Sequence, residues 1–156
     1  MSTTVPPTLA ALTVYLLSKT GKAARGAMAR ELADEDLRLT HMAALAALAD
    51  FGPLVQRDLA ARLGMDPSDT VKVVDDLTAA GWAERTRDTA DRRRVRVALT
   101  DWGHTTLRRL TGLAEEVQHD LLAPLTPDQR AQFHALLVLV HDGLRPAVPG
   151  PERGAS

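Results

Sequence analysis

Along this chain the apolar residues fall at helical spacing in several stretches and at strand spacing in one. Leu9, Leu12 and Leu16 mark a first helical stripe, continued weakly by Ala23 and Ala27, whose small side chains let another helix approach closely. Gly21 and Gly26 lie in the same stretch, and each costs a helix interior about 1 kcal/mol relative to alanine, so this helix is expected to depend on a packing partner. The charged residues 31–39 are expected to hold a loop, with Thr40 as cap of a second helix whose Met42, Leu45, Leu48 and Ala49 face inward and which Gly52 and Pro53 end.

Residues 56–103 carry the most specific order of elements. Leu59 and Leu63, with Ala60 beside them, form one face of a short helix that Gly64 stops. Asp66 can cap the next helix, Pro67 suits its first position because it lacks an N–H, and Thr70, Val73, Val74 and Leu77 then repeat at helical spacing up to Gly81. Two helices joined by so short a turn make a helix-turn-helix. Beyond it Val95, Val97 and Leu99 alternate with Arg94, Arg96 and Ala98, the period of a strand with one buried face. Residues 82–87 are its natural partner and 88–93 the hairpin tip, so the stretch reads as a winged helix-turn-helix.

Two further helices follow. Thr100 can cap a long one in which Leu107, Leu110, Ala114, Val117 and Leu121 form a coiled-coil-like seam that needs another helix. After Pro124, Thr126 to Gln129 spell a capping box with proline at the first helical position, and Phe133, Leu136, Leu137, Val140 and Leu144 line the last helix. The fold class expected is mostly α with a small β-hairpin wing. Apolar stripes at both ends of the chain, too many to bury in so small a lobe, predict an intertwined helical homodimer.

Charge sharpens this picture. Residues 85–96 contain six arginines and two aspartates, a local charge of +4 on a chain whose formal total is −1. The remainder is therefore acidic, and the positive charge sits on the wing, where it suits the phosphates of double-stranded DNA. Aromatic residues are only 3% of the chain, which leaves few rings to stack on bases, and there is no cysteine, which excludes disulfides and thiolate metal ligands.

The turn L-G-M-D-P-S, the run V-V-D-D-L-T-A-A-G, and a wing signature made of Asp91, Arg93, Leu99, Thr100 and Gly103 resemble the MarR transcription regulators, over residues 9–144. The resemblance implies a homodimer that places the second helix of each motif in the major groove, with Arg93 in the adjacent minor groove and Asp91 holding it. It further implies a small-molecule effector, often phenolic or lipophilic, bound between the dimer helices and the reader. Tyr15, His41, Met42 and Trp102 are the ligand candidates; for each, core packing is the competing role. The absence of cysteine excludes the thiol-based peroxide sensing of one branch of that family. In such a dimer the two recognition helices should meet major grooves about 34 Å apart.

The expected DNA contacts are Gln56, Ser68, Asp69, Thr70 and Lys72 around the motif, and Arg92, Arg93 and Arg94 on the wing, with Arg96 meeting phosphate or solvent. Ser68 has ordinary capping as its alternative, and Thr70 partial burial. Asp69 either completes the cap of its helix or accepts from a cytosine amino group. Three positions depart from the family pattern. Val55 stands where Ser or Thr commonly precedes the glutamine and cannot cap, while Asp69 and Asp76 replace a threonine and a basic residue and would oppose phosphate.

The domain reading is a flexible arm over 1–7, helical dimerisation regions over 8–35 and 104–145, the DNA-binding winged helix over 36–103, and a disordered Pro- and Gly-rich tail over 146–156. No apolar run approaches the roughly 20 residues that span a bilayer, and 1–7 does not resemble a secretory signal, so no membrane partner and a cytoplasmic location are expected. No two histidines are three or four apart, and no nucleophile, phosphate loop or paired carboxylate site stands out; metal, cofactor and catalysis are not expected. The function expected is a sequence-specific DNA-binding regulator that represses and is released by a ligand. A noncatalytic interaction or ligand-binding module with weak DNA affinity is the alternative.

Overall fold

The computed structural model describes residues 5–144, in two compact units, Met1–Gln118 and His119–Ser156. The tail over 146–156 and the first four residues of the arm lie outside the described residues. The first unit opens with α1 (Pro7–Ala10) and α2 (Thr13–Ala33). The single first stripe is thus broken after one turn, and Leu12, extended at φ −94 and ψ 112, precedes α2. Only the C-terminal part of α2 reaches the core, through Met28 and Leu32. The helix runs to Ala33 and α3 starts at Leu39, so the loop expected within 31–39 occupies residues 34–38.

Helix α3 (Leu39–Phe51) starts two residues earlier than a Thr40 cap requires. Arg38 is its N-cap residue, and the backbone N–H of Arg38 donates to Nδ1 of His41 at 3.0 Å. A ring nitrogen three residues on therefore caps the chain where the hydroxyl was expected. Leu45 and Leu48 face inward as expected, joined by Ala44 and Ala47, while Met42 packs at the core margin.

The helix-turn-helix consists of α4 (Gln56–Leu63) and α5 (Pro67–Ala79). Gly64 adopts the left-handed conformation at φ 61, which glycine enters without Cβ strain. The Asp66 carboxylate caps α5, accepting from the Ser68 N–H at 2.8 Å and from its hydroxyl at 2.6 Å. Leu59, Val73, Val74 and Leu77 close on Leu45 and Leu48 to form the centre of the core.

Strands β2 (Ala83–Arg87) and β3 (Val95–Leu99) form the expected hairpin, with Ala83 opposite Leu99 and Arg87 opposite Val95. An unexpected strand, β1 (Leu54–Val55), makes the sheet three-stranded in the order β1-β3-β2, pairing Leu54 with Val97 and Val55 with Arg96. Val55 gives α4 no side-chain cap, as expected; strand pairing holds the entry to α4 instead. Of the alternating valines, Val97 is fully buried but Val95 is 46% exposed, because the hairpin leaves the core as it runs out toward the wing.

Helix α6 (Asp101–Leu121) begins at the base of the wing, where Thr100 caps it by accepting from the Gly103 N–H at 3.0 Å. Its Leu110 is fully buried, with Leu107, Ala114 and Val117 packed against the same core. The seam expected to need a partner is therefore largely satisfied within the first unit. In the second unit α7 (Pro127–Gly143) starts with the expected capping box, Thr126 N–H donating to Gln129 Oε1 at 2.9 Å and Gln129 N–H to Thr126 Oγ1 at 3.3 Å. Helix α7 has no buried residue, and Leu136, Leu139 and Val140 are all more than half exposed.

Candidate nucleic-acid interface

The first turns of α5 expose Ser68, Asp69 and Lys72, while Thr70 on the same turns is 1% exposed. Thr70 Oγ1 donates to the Asp66 carbonyl at 3.0 Å, so this hydroxyl serves its own helix and is removed from the set able to reach DNA. The Ser68 hydroxyl is committed to Asp66, and this bond, ahead of the backbone N–H of Ser68, holds the Asp66 carboxyl below its ordinary pKa. Asp69 and Lys72 approach each other at 4.0 Å across one turn, with both side chains mostly in solvent, a pairing worth little.

Gln56, at the start of α4, is half-buried and accepts at Oε1 from Nε and one terminal nitrogen of Arg85, both at 3.4 Å. Arg85 on β2 also donates to Thr78 Oγ1 at 3.2 Å and pairs closely with Asp75 of α5. One guanidinium therefore ties the first helix of the motif, the second helix and the wing.

The wing tip is closed by its own backbone: Asp88 N–H donates to the Arg94 carbonyl and Arg94 N–H to the Asp91 carbonyl, each at 2.9 Å. Asp91 Oδ1 accepts from the Arg93 backbone N–H at 3.0 Å, so Asp91 shapes the turn that carries Arg93 by holding its main chain. Arg92, Arg93 and Arg94 are all exposed. Arg96 departs from expectation. Its Nε donates to Asp88 Oδ2 at 2.8 Å and a terminal nitrogen reaches the Pro53 carbonyl at 3.4 Å, which makes it a brace between wing and β1. Asp88, 8% exposed, also accepts from the Ala90 N–H at 2.9 Å. That N–H first, and Arg96 second, hold the Asp88 carboxyl below the usual range.

The four ligand candidates occupy separate settings. Tyr15 is half-buried with the Lys19 ammonium 5.4 Å from its ring centre, Met42 packs on the core margin, and Trp102 is 59% exposed. His41 is 3% exposed and lines a cavity of about 380 Å³ with Asp36, Leu37, Asp76, Ala79, Ala80 and Trp82. Its Nε2 lies 2.9 Å from Asp76 Oδ2, and Arg38 reaches the same oxygen at 3.4 Å. Asp76, expected to stand as a charge opposing phosphate, is instead held by a contact between residues 35 apart in the chain. The available signal was a histidine on the apolar face of a helix, which needs a polar partner once buried.

Among the described residues no group of three or more His, Cys, Asp or Glu could hold a metal ion, and no helix is long and apolar enough to cross a membrane.

Comparison with known proteins places this arrangement. Residues 35–94 match the model of the MarR family. The regulator PecS of Dickeya dadantii is 34% identical over 64 residues, 41% of this chain and 39% of PecS, so the match spans about two fifths of that relative. The solved structure of the PcaV transcriptional regulator from Streptomyces coelicolor, in complex with its natural ligand, is 31% identical with a TM-score of 0.68, over 88% of this chain and 96% of that one. Apo MarR from Escherichia coli shares the fold, with a TM-score of 0.74 over 83% of this chain and 96% of that one, at 22% identity. With winged helix, wing signature and near full-length likeness in agreement, the chain belongs to the MarR family of transcriptional regulators.

Proposed function

We propose that this protein is a noncatalytic, sequence-specific regulator that binds a pseudo-palindromic duplex as a homodimer, represses transcription, and is released by a small molecule. The observation that carries the reading is the combination, within one unit, of an exposed helix start with Ser68, Asp69 and Lys72 and a braced hairpin that holds Arg92, Arg93 and Arg94 in solvent. Lys72 and the wing arginines supply attraction to phosphate. Arg93 enters the minor groove, where a guanidinium meets enhanced negative potential. Gln56 has its carbonyl oxygen engaged by Arg85, so it offers DNA its amide N–H groups. Ser68 and Asp69 meet base edges or phosphate-bound water at the helix start.

The exposed apolar residues Leu12, just before α2, Val14, Leu16 and Leu17 of α2, and Leu136, Leu139 and Val140 of α7, support residues 8–35 and 104–145 as surfaces for a second copy. Residues 36–103 form the reader. The bound ligand of PcaV supports an effector in this chain too, and a cytoplasmic location follows from a DNA partner.

The test is fluorescence anisotropy of the purified protein on a duplex from upstream of its own gene, at near-physiological salt with excess unrelated DNA. Submicromolar binding that survives the competitor is expected. If neither this duplex nor any recovered by random-sequence selection survives competition, the protein is an interaction module and the regulator reading fails.

A further inference from the structure

Asp75 and Asp76 stand in the middle of the recognition helix, where free carboxylates would oppose DNA, yet both are engaged within the protein. Asp76 Oδ2 lies 2.9 Å from Nε2 of His41, and the other ring nitrogen of His41 accepts from the Arg38 backbone N–H at 3.0 Å. An N–H facing Nδ1 requires a lone pair there, which places the ring proton on Nε2, directed at the carboxylate. His41 is 3% exposed, so its ring is fixed by packing while it holds Asp76. On the neighbouring position Asp75 pairs with Arg85 of β2. The apolar contacts of Val73, Val74 and Leu77 keep α5 on the core but are non-directional; the two carboxylates add directed ties, one to the start of α3 and one to the wing strand.

We propose that Asp76 is a positioning residue for DNA reading: through His41 it sets the orientation of α5 against α3, with Asp75 and Arg85 as the second tie. The proposal rests on the DNA-binding reading above. It turns the aspartate from a charge that repels DNA into one that aims the helix, and it gives His41 a structural task in place of a ligand-binding one. Because the Asp76 side chain is 55% exposed, substitutions there leave the core intact.

The experiment compares the full-length wild type with Asp76→Ala and Asp76→Asn on a selected specific duplex, on a random duplex and, without DNA, by hydrogen exchange across α5. An asparagine oxygen still accepts from Nε2, so Asp76→Asn should bind specifically within about threefold of wild type. Asp76→Ala, which loses a charge-assisted hydrogen bond, should lose about tenfold in specific affinity, hold or gain slightly on random DNA, and exchange α5 amides faster. The proposal is overturned if Ala and Asn variants both bind the two duplexes more tightly with a steeper salt dependence, the signature of relieved repulsion, or if α5 exchange is the same in Asp76→Ala as in wild type. A wild type that binds no specific duplex refutes the regulator reading, and the exchange measurement then decides the clamp by itself.

Discussion

Gly103→Ala should destabilise the protein, although helix propensity alone predicts the opposite. Alanine in place of glycine inside a helix ordinarily gains about 1 kcal/mol. Here a Cβ at position 103 would stand 2.9 Å from Leu99 Cδ2 and from the Trp82 carbonyl carbon, and well inside contact distance of the Trp82 carbonyl oxygen. The obstacle is backbone, so no side-chain rotation relieves it, and the start of α6 would have to move by about 1 Å. That movement acts on the junction where Thr100 N–H donates to the Trp82 carbonyl at 3.1 Å and the Thr100 hydroxyl to the Gly81 carbonyl at 2.6 Å. Overpacking costs about 1–3 kcal/mol and each weakened hydrogen bond about 1 kcal/mol. Set against the propensity gain, the net loss is about 2–4 kcal/mol. For a chain of this size that lowers the melting temperature by about 5–10 °C. Calorimetry of both proteins at equal concentration measures it, and a Gly103→Ala protein as stable as wild type would refute the close approach as the reason for glycine.

Other consequences concern the wing. Arg93→Ala should cost about 1–3 kcal/mol of specific DNA binding with unchanged thermal stability; anisotropy showing unaltered affinity removes Arg93 from the mechanism. The Asp88 carboxyl is held below its ordinary pKa by the Ala90 N–H and Arg96, so its contribution to the folded wing is present above the ordinary carboxylate range and lost as pH falls through the lowered value. Proteolysis within residues 88–94 should therefore accelerate in wild type below about pH 4. An Asp88→Asn variant, already without the ion pair, should be cut faster at neutral pH and show a smaller acid response.

Much of this protein was legible from its sequence because the relevant interactions are short-range. The Asp66 cap, Pro67 at the first helical position, Gly64 in the left-handed region and the Thr126–Gln129 capping box each involve residues within a few positions of one another, and such geometry is written in residue type. The alternation ending in Leu99 found the hairpin, and the wing signature identified the family. The break between α1 and α2 was not legible, since the leucine stripe continues through it and only the extended Leu12 backbone reveals it.

What tertiary structure alone decided are the pairings between distant segments. Strand β1 has two residues, too few for a period, and exists because β3 lies alongside it. Arg96 and Arg85 look like their neighbours in sequence, yet Asp88, Pro53, Gln56 and Asp75 bring both inside the reader and leave Arg92, Arg93 and Arg94 outside. Asp76 is committed for the same reason, because His41, 35 residues away, reaches it, whereas the burial of Thr70 follows the helical phase it shares with Val73, Val74 and Leu77. Local chemistry chose the elements, but a charge is committed or available according to what the fold brings beside it.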